Sequence, residues 1–323
     1  DLARGRMRTT ITVALTSMLL PFGLGALLAL RLLDDHPTAH RVGFVLFMSA
    51  AMSVTAFPVL ARILTDRGML RTPLGGLALS CAAIADVLAW SILAGIVAVV
   101  GGNGRPQWLV VFVVPFAIVM LAVVRPLLRR WASGPADRGR GLFVIALAGL
   151  LLSGALTEWM GLHFIFGAFL FGLIMPRDVA GGASATIRDG LERLGATLLM
   201  PVYFIIAGLQ VDLSTVDAAG AGEFALIMLV AVGGKFGGVY LSAWLNRTDW
   251  RQAAGLATLM NARGLTELVI LTLGRQLGVL DQRLYSLMVV MALVTTAMTG
   301  PLLRWLYPSQ RITRDFLSAA KPG

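Results

Sequence analysis

Residues 251–274 read RQAAGLATLMNARGLTELVILTLG. The flanks are apolar, and the whole run is long enough to cross a bilayer, which takes about 20 residues. Its centre is not apolar, because Asn261, Arg263, Gly264 and Glu267 fall where the hydrocarbon would be. A charge at the bilayer centre costs roughly 2.5–3.5 kcal/mol even on insertion scales. Broken helix at that depth survives only where it lines a cavity or lies against protein. The run is therefore expected to be a discontinuous helix, interrupted at Asn261 and Gly264. A second run, 42–64, carries SVTAFPVLAR at 53–62. Pro58 removes a backbone donor and crowds the preceding turn, so this span is expected to break too, with Ser53 and Thr55 at the interruption. Interrupted spans in corresponding halves of a chain point to a transporter's binding site.

The composition agrees. Of 323 residues, 57% are hydrophobic and only 14% charged, against roughly 45–50% and 25% in soluble domains. The solvent of this chain is lipid, which excludes an ordinary soluble enzyme and a disordered tail. One cysteine, Cys81, permits no internal disulfide, and three histidines leave little for a metal cluster. There is no nucleophile–base set, metal-ligand spacing or nucleotide loop, so no enzyme activity is expected. The chain is strongly basic, at +10 with 25 arginines and two lysines. The arginines lie between apolar runs, where they set membrane orientation rather than bind nucleic acid.

Ten apolar runs cover 9–33, 42–64, 73–101, 108–128, 141–160, 161–176, 197–211, 223–246, 251–274 and 284–307. Ten spans place both ends of the chain on one side. That side carries 20 Lys and Arg residues and the other five, with Lys235 and Arg263 inside spans. By the positive-inside rule both ends are expected to be cytoplasmic. Two further charges are intramembrane: Asp86, near the middle of 73–101, and Glu267. Lys235 is near the middle of 223–246 and is bracketed by glycines in GGKFGG, a pattern that admits another backbone closely. Asp86 and Lys235 both lie near the midplane, where an apolar pair would pack more cheaply, which favours an ion or proton site there over a structural salt bridge.

The order of three spans with the middle one broken occurs after Asp1-Leu2-Ala3 and again after Asp212-Leu213-Ser214, starting from opposite sides. This is the pattern of an inverted-topology repeat. The expected organisation is a first repeat over 1–107, linking spans over 108–160, a second repeat of five spans over 161–307, and a short cytoplasmic tail at 308–323. Two spans precede the second set and none the first. Because the chain opens on Asp1, two N-terminal spans of the natural protein are expected to be absent.

The segments TAFPVLARIL (55–64), IADVLAW (84–90), FIFGAFLFGLIMPR (164–177), PVYFIIAGLQVDL (201–213), GKFGG (234–238) and NARGLTELVIL (261–271) together resemble the monovalent cation:proton antiporters, in particular the Kef-like bacterial and CHX-like plant exchangers. The resemblance implies an all-α polytopic fold with two crossed discontinuous helices and a dimerisation domain, hence a homodimer in the cell membrane. It implies that Asp86 is the shared site for the transported cation, Na⁺ or K⁺, and for the proton, with no cofactor. Thr55, Lys235, Arg263 and Glu267 match polar positions of the family. Ala85 departs from it, since an acid or amide often precedes the aspartate. Lys235 is expected to pair with Asp86 when no cation is bound. The alternatives are a passive channel on the same scaffold, or a transport-inactive sensor or assembly protein. Cys81 reads as a packed residue, His36 and His40 as outer-loop residues and His163 as interfacial. The stretch 178–196 reads as an amphipathic surface helix, and Ser133–Pro135 as cytoplasmic loop.

Overall fold

The computed structural model describes residues 7–100, 112–132, 139–160, 164–176, 190, 193–214 and 217–308. Among these there are helices and no strands. Their order is α1 (Met7–Leu32), α2 (Arg41–Ser53), α3 (Phe57–Asp66), α4 (Pro73–Val100), α5 (Val113–Val119), α6 (Arg125–Ala132), α7 (Gly139–Trp159), α8 (Phe164–Ile174), α9 (Met200–Leu209), α10 (Ala218–Leu245), α11 (Trp250–Met260), α12 (Leu265–Gln276) and α13 (Gln282–Leu306). A π-helical turn, Met120–Val124, joins α5 to α6, and another, Gly195–Leu199, leads into α9. Every apolar run of the sequence contains a helix. The runs differ in reach: α1, α4, α10 and α13 are long, unbroken, apolar helices, whereas α8 has only 11 residues. His163, Ser133–Pro135, most of 178–196 and the tail beyond 308 lie outside the described residues.

The helix starts follow from the sequence. Asp217, Asp249 and Asp281 stand immediately before α10, α11 and α13, and each accepts a first-turn N–H with its side chain, from Gly220, Arg251 and Leu284. A carboxylate there satisfies an orphan donor and meets the positive end of the helix dipole.

The chain divides into two compact units. One comprises 1–93 with 207–323, the other 94–206. In the smaller unit, α7 and α8 pack through small residues: Ser153 Oγ donates to Gly167 O at 2.6 Å, and Gly167 N donates to Thr157 Oγ1 at 3.1 Å. In the larger unit, the glycines around Lys235 divide by helical spacing. A Cβ at Gly238 would lie 2.3 Å from Thr16 O of α1, and one at Gly234 would lie 3.0 Å from Pro21 Cα. Gly233, on another face, meets nothing. The close approach therefore belongs to an i, i+4 pair on α10, and α1 is the helix it admits. Leu60, Leu64, Met69, Ala78, Cys81, Ala82, Leu256 and Met260 form a core beside the breaks. Leu19, Leu27, Leu229 and Leu293 are exposed, as expected of faces turned to lipid.

Candidate functional site

The first break is three residues long. Helix α2 ends at Ser53, Val54 and Ala56 are extended, and α3 begins at Phe57. Pro58 is not itself the interruption. It occupies the first turn of α3, where no intrahelical acceptor waits for its missing N–H. The second break runs from Asn261 to Gly264, and α11 and α12 are bent by 45° across it. Gly264 is required by close approach, because a Cβ there would lie 2.6 Å from Val59 Cγ2 and 3.2 Å from Ala56 Cβ.

The two breaks touch. Ala56 N donates to Ala262 O at 3.0 Å, and Thr55 Oγ1 donates to Met260 O at 2.8 Å. Each unwound segment thus satisfies polar backbone groups that its partner's interruption left open. Thr296 fixes the second break from α13: it accepts from Arg263 N at 2.9 Å and donates to Arg263 O at 2.8 Å.

The cations collect at the C-terminal end of α2, which carries unpaired carbonyls and the negative end of the helix dipole. Arg263 reaches it with both terminal nitrogens, donating to Ala51 O at 2.7 Å and Met52 O at 3.0 Å. Lys235 Nζ donates to Ser53 O at 2.5 Å and Thr55 Oγ1 at 2.7 Å. Arg263 also bonds Glu267 Oε1 at 2.9 Å, one turn along its own chain. Arg263, Lys235 and Glu267 are all buried.

Asp86 is half-buried on α4. Its Oδ1 accepts from Thr266 Oγ1 of α12 at 3.3 Å. Among the described residues no Lys, Arg or His lies within ion-pair distance of it. The expected pairing of Lys235 with Asp86 is not the arrangement found: the ammonium is drawn to the α2 carbonyls and the Thr55 hydroxyl instead. Of the residues singled out in the sequence, Ser53, Thr55, Asn261, Lys235, Arg263, Gly264 and Glu267 meet at the crossing, and Asp86 joins it through Thr266. Ser53 contributes its carbonyl, its hydroxyl being turned to Ala50 O. Thr266 and Thr296 were not singled out. Threonine is too common in such runs for position alone to mark it.

A second charged cluster lies where the loops meet. His36, in the α1–α2 turn, is only 2% exposed. Its Nδ1 is 2.5 Å from Asp281 Oδ2 and its Nε2 3.5 Å from Glu223 Oε2. Arg283 bonds Glu223 at 3.0 Å and Asp217 at 3.2 Å. Burial opposes charging of the imidazole, but the Asp281 hydrogen bond and the charges of Asp281 and Glu223 outweigh it, so the His36 pKa is raised above 6.5. Burial also opposes ionisation of Asp281, yet the His36 and Leu284 hydrogen bonds and the charges of His36 and Arg283 hold its pKa below the ordinary carboxylate value. His36 is thus a buried, paired residue rather than a plain loop histidine.

Two crossed, interrupted spans with an intramembrane carboxylate beside them are the architecture that the sequence led us to expect, and the family model described as "Sodium/hydrogen exchanger, transmembrane" matches residues 4–307. The chain belongs to the sodium/hydrogen exchanger family. It is 34% identical over 317 residues to the Na(+)/H(+) antiporter NhaS4 of Synechocystis sp., covering 95% of this chain and 76% of that protein. It is 35% identical over 320 residues to Cation/H(+) antiporter 20 of Arabidopsis thaliana, covering 93% and 38%. It is 30% identical over 321 residues to K(+)/H(+) antiporter 1 of Saccharomyces cerevisiae, covering 94% and 35%. The chain therefore spans little more than a third of the plant and yeast relatives. This placement makes it a multi-pass membrane protein of a family whose relatives named above are antiporters.

Proposed function

We propose that this protein exchanges Na⁺ or K⁺ for protons by alternating access, with the carboxyl group of Asp86 as the shared binding site. The observation that carries the reading is the division of charge at the crossing. Lys235 and Arg263 are bonded to α2 and to Glu267, so Asp86 has no protein cation beside it among the described residues. A bare carboxylate at that depth is costly. A proton or a monovalent cation neutralises it, and only the neutralised states cross cheaply between the two openings. Competition of the two ligands for one carboxylate is then the coupling. Thr55, Ser53 O and the α12 N-terminus supply the surrounding oxygens and dipole.

One acid carries the proton while Lys235 stays on Ser53 and Thr55. The exchange is accordingly one cation for one proton and electroneutral. The protein sits in the cell membrane as a homodimer with both ends of this chain cytoplasmic. The arginine distribution supports that orientation, and the family resemblance supports the dimer.

The test is proton flux in proteoliposomes challenged with Na⁺, K⁺ and Li⁺. Cation-driven alkalinisation is expected for the natural protein and none for Asp86→Asn, with equal protein incorporated. Full activity in that variant would remove Asp86 from the mechanism. A cysteine at Ser133 should react with an impermeant thiol reagent only from the cytoplasmic side. Labelling from outside intact cells would reverse the orientation.

A further inference from the structure

The side chain of Thr266, like those of Thr55 and Thr296, reaches off its own segment. Thr258, Thr295 and Thr299 each turn the hydroxyl back onto the carbonyl four residues earlier in their own helix: Ala254 O, Met291 O and Thr295 O. That is the ordinary resting place of a helical threonine. For Thr266 the residue four back is Ala262, whose carbonyl already accepts the N–H of Ala56 across the crossing. The Thr266 hydroxyl is aimed instead at Asp86 Oδ1, 3.3 Å away on another helix. Thr266 is itself buried, at 3% exposed, and stands in the first turn of α12, whose N-cap, Gly264, has no side chain to spare.

Building on the assignment of Asp86 as the exchange site, we infer that Thr266 supplies the side-chain oxygen bonded directly to that carboxylate and sets its preference for cation over proton. An ionised carboxylate is an acceptor only, so in the empty site the hydroxyl must be the donor, which favours the charged form that a metal ion needs. When a cation arrives, the same hydroxyl rotates its hydrogen away and offers a lone pair, so the ion gains an oxygen ligand beside Asp86. When a proton arrives, the carboxylic acid donates and the hydroxyl accepts. One group thus serves all three states without the helix moving. Because Thr266 belongs to the second discontinuous helix and Asp86 to α4, occupancy at the carboxylate is also felt at the break.

The measurement is cation-driven proton flux in proteoliposomes at fixed pH, with apparent KM and maximal rate determined separately for Na⁺ and K⁺. Thr266→Val keeps the shape and removes both donor and ligand. It should raise the KM of the transported cation about tenfold, the loss expected for one hydrogen bond to a charged group, with the maximal rate within about twofold of the natural protein. Thr266→Ser should restore KM to within about threefold. A natural KM in Thr266→Val, or equal damage from Val and Ser, overturns the inference. Should Val not incorporate, Thr266→Ala against Thr266→Ser decides: Ala raised and Ser natural supports it, and Ala natural sinks it. Asp86→Asn, run in parallel, separates the two levels. If it is silent while KM ignores Thr266, only this inference falls; if it transports, the site itself is misplaced.

Discussion

At the crossing of the two breaks, the cations Lys235 and Arg263 are held largely by the carbonyl oxygens of Ala51, Met52 and Ser53, with one carboxylate, Glu267, joining them. At the loop ends, His36 and Arg283 are held by the carboxylates of Asp281, Glu223 and Asp217. The two clusters use different negative charge. Backbone carbonyls at a helix end cannot be protonated in the physiological range, so these acceptors on α2 stay fixed as the pH changes and leave the nearby acid, Asp86, available. Side-chain carboxylates and imidazole can be protonated, so the outer cluster has its own acid and alkaline limits. Beside the proposed exchange site the cations rest mainly on acceptors that do not titrate; at the loop ends they rest on carboxylates that do.

The sharpest way to break that comparison is to remove one acid from each cluster. Asp86→Asn should eliminate cation-driven proton flux, whereas Asp281→Asn should leave at least about half of it, because nothing at the loop ends touches the exchanged ion on this view. Comparable losses from both would mean that the outer cluster belongs to the transport site.

The next effect is on stability. Arg263 is buried, bonds two helix-end carbonyls and is paired with buried Glu267. Arg263→Met leaves Glu267 buried without its hydrogen-bonded partner. Breaking a buried pair from one side costs about 3–5 kcal/mol, so the variant should melt well below the natural protein in detergent. Adding Glu267→Gln should recover part of the loss. An unchanged melting temperature in the single variant would mean that the carbonyls and Glu267 do not depend on Arg263.

Much of this site was legible in the sequence. Charge and glycine inside an apolar run identify a break because lipid forbids both elsewhere. That logic gave Arg263, Glu267, Lys235, Asp86 and both interruptions without any coordinates. It did not give the partner of Lys235, since a lysine side chain reaches several acceptors and the choice rests on where α2 ends. Pro58 marked the right span but not the exact gap, because proline is as much at home in a helix's first turn as in a kink. Thr266 and Thr296 carry no charge and stood out against nothing. His36 was invisible for another reason. Its partners lie 187 and 245 residues away, at Glu223 and Asp281, and only the meeting of three helix ends brings them together.

A smaller effect sharpens the role of Lys235. Its amine donates to Ser53 O and Thr55 Oγ1 and not to Asp86, which on the proposed mechanism makes it a fixture that carries no transported proton. Lys235→Gln retains donors for both acceptors. Exchange should persist at a rate reduced by about tenfold or less, one charged hydrogen bond being replaced by a neutral one. Neither the natural protein nor the variant should respond to a clamped membrane potential. Potential dependence in the natural protein that vanishes in Lys235→Gln would make the lysine a proton carrier and the exchange electrogenic.

The least expected change, and the one specific to the outer cluster, is in the pH dependence of stability. The folded pKa of His36 is raised, so its pairing contributes fully below the unfolded value of about 6.5 and is lost as pH rises through the folded value. The folded pKa of Asp281 is lowered, so its contribution is present above the unfolded value of about 3.9 and lost as pH falls through the folded value. Together they place the window of full support between about pH 4 and 6.5. His36→Gln should therefore destabilise the protein by about 2 kcal/mol at pH 5.5, the worth of a charged hydrogen bond, and by progressively less as the pH is raised, the two melting curves converging on the alkaline side. Asp281→Asn should show the same convergence, since it removes the acceptor that keeps the imidazole charged. Curves that stay parallel from pH 5.5 to 9 would mean that His36 is neutral in the folded protein and that its contact with Asp281 is an ordinary hydrogen bond. The two clusters would then no longer differ in their response to protons.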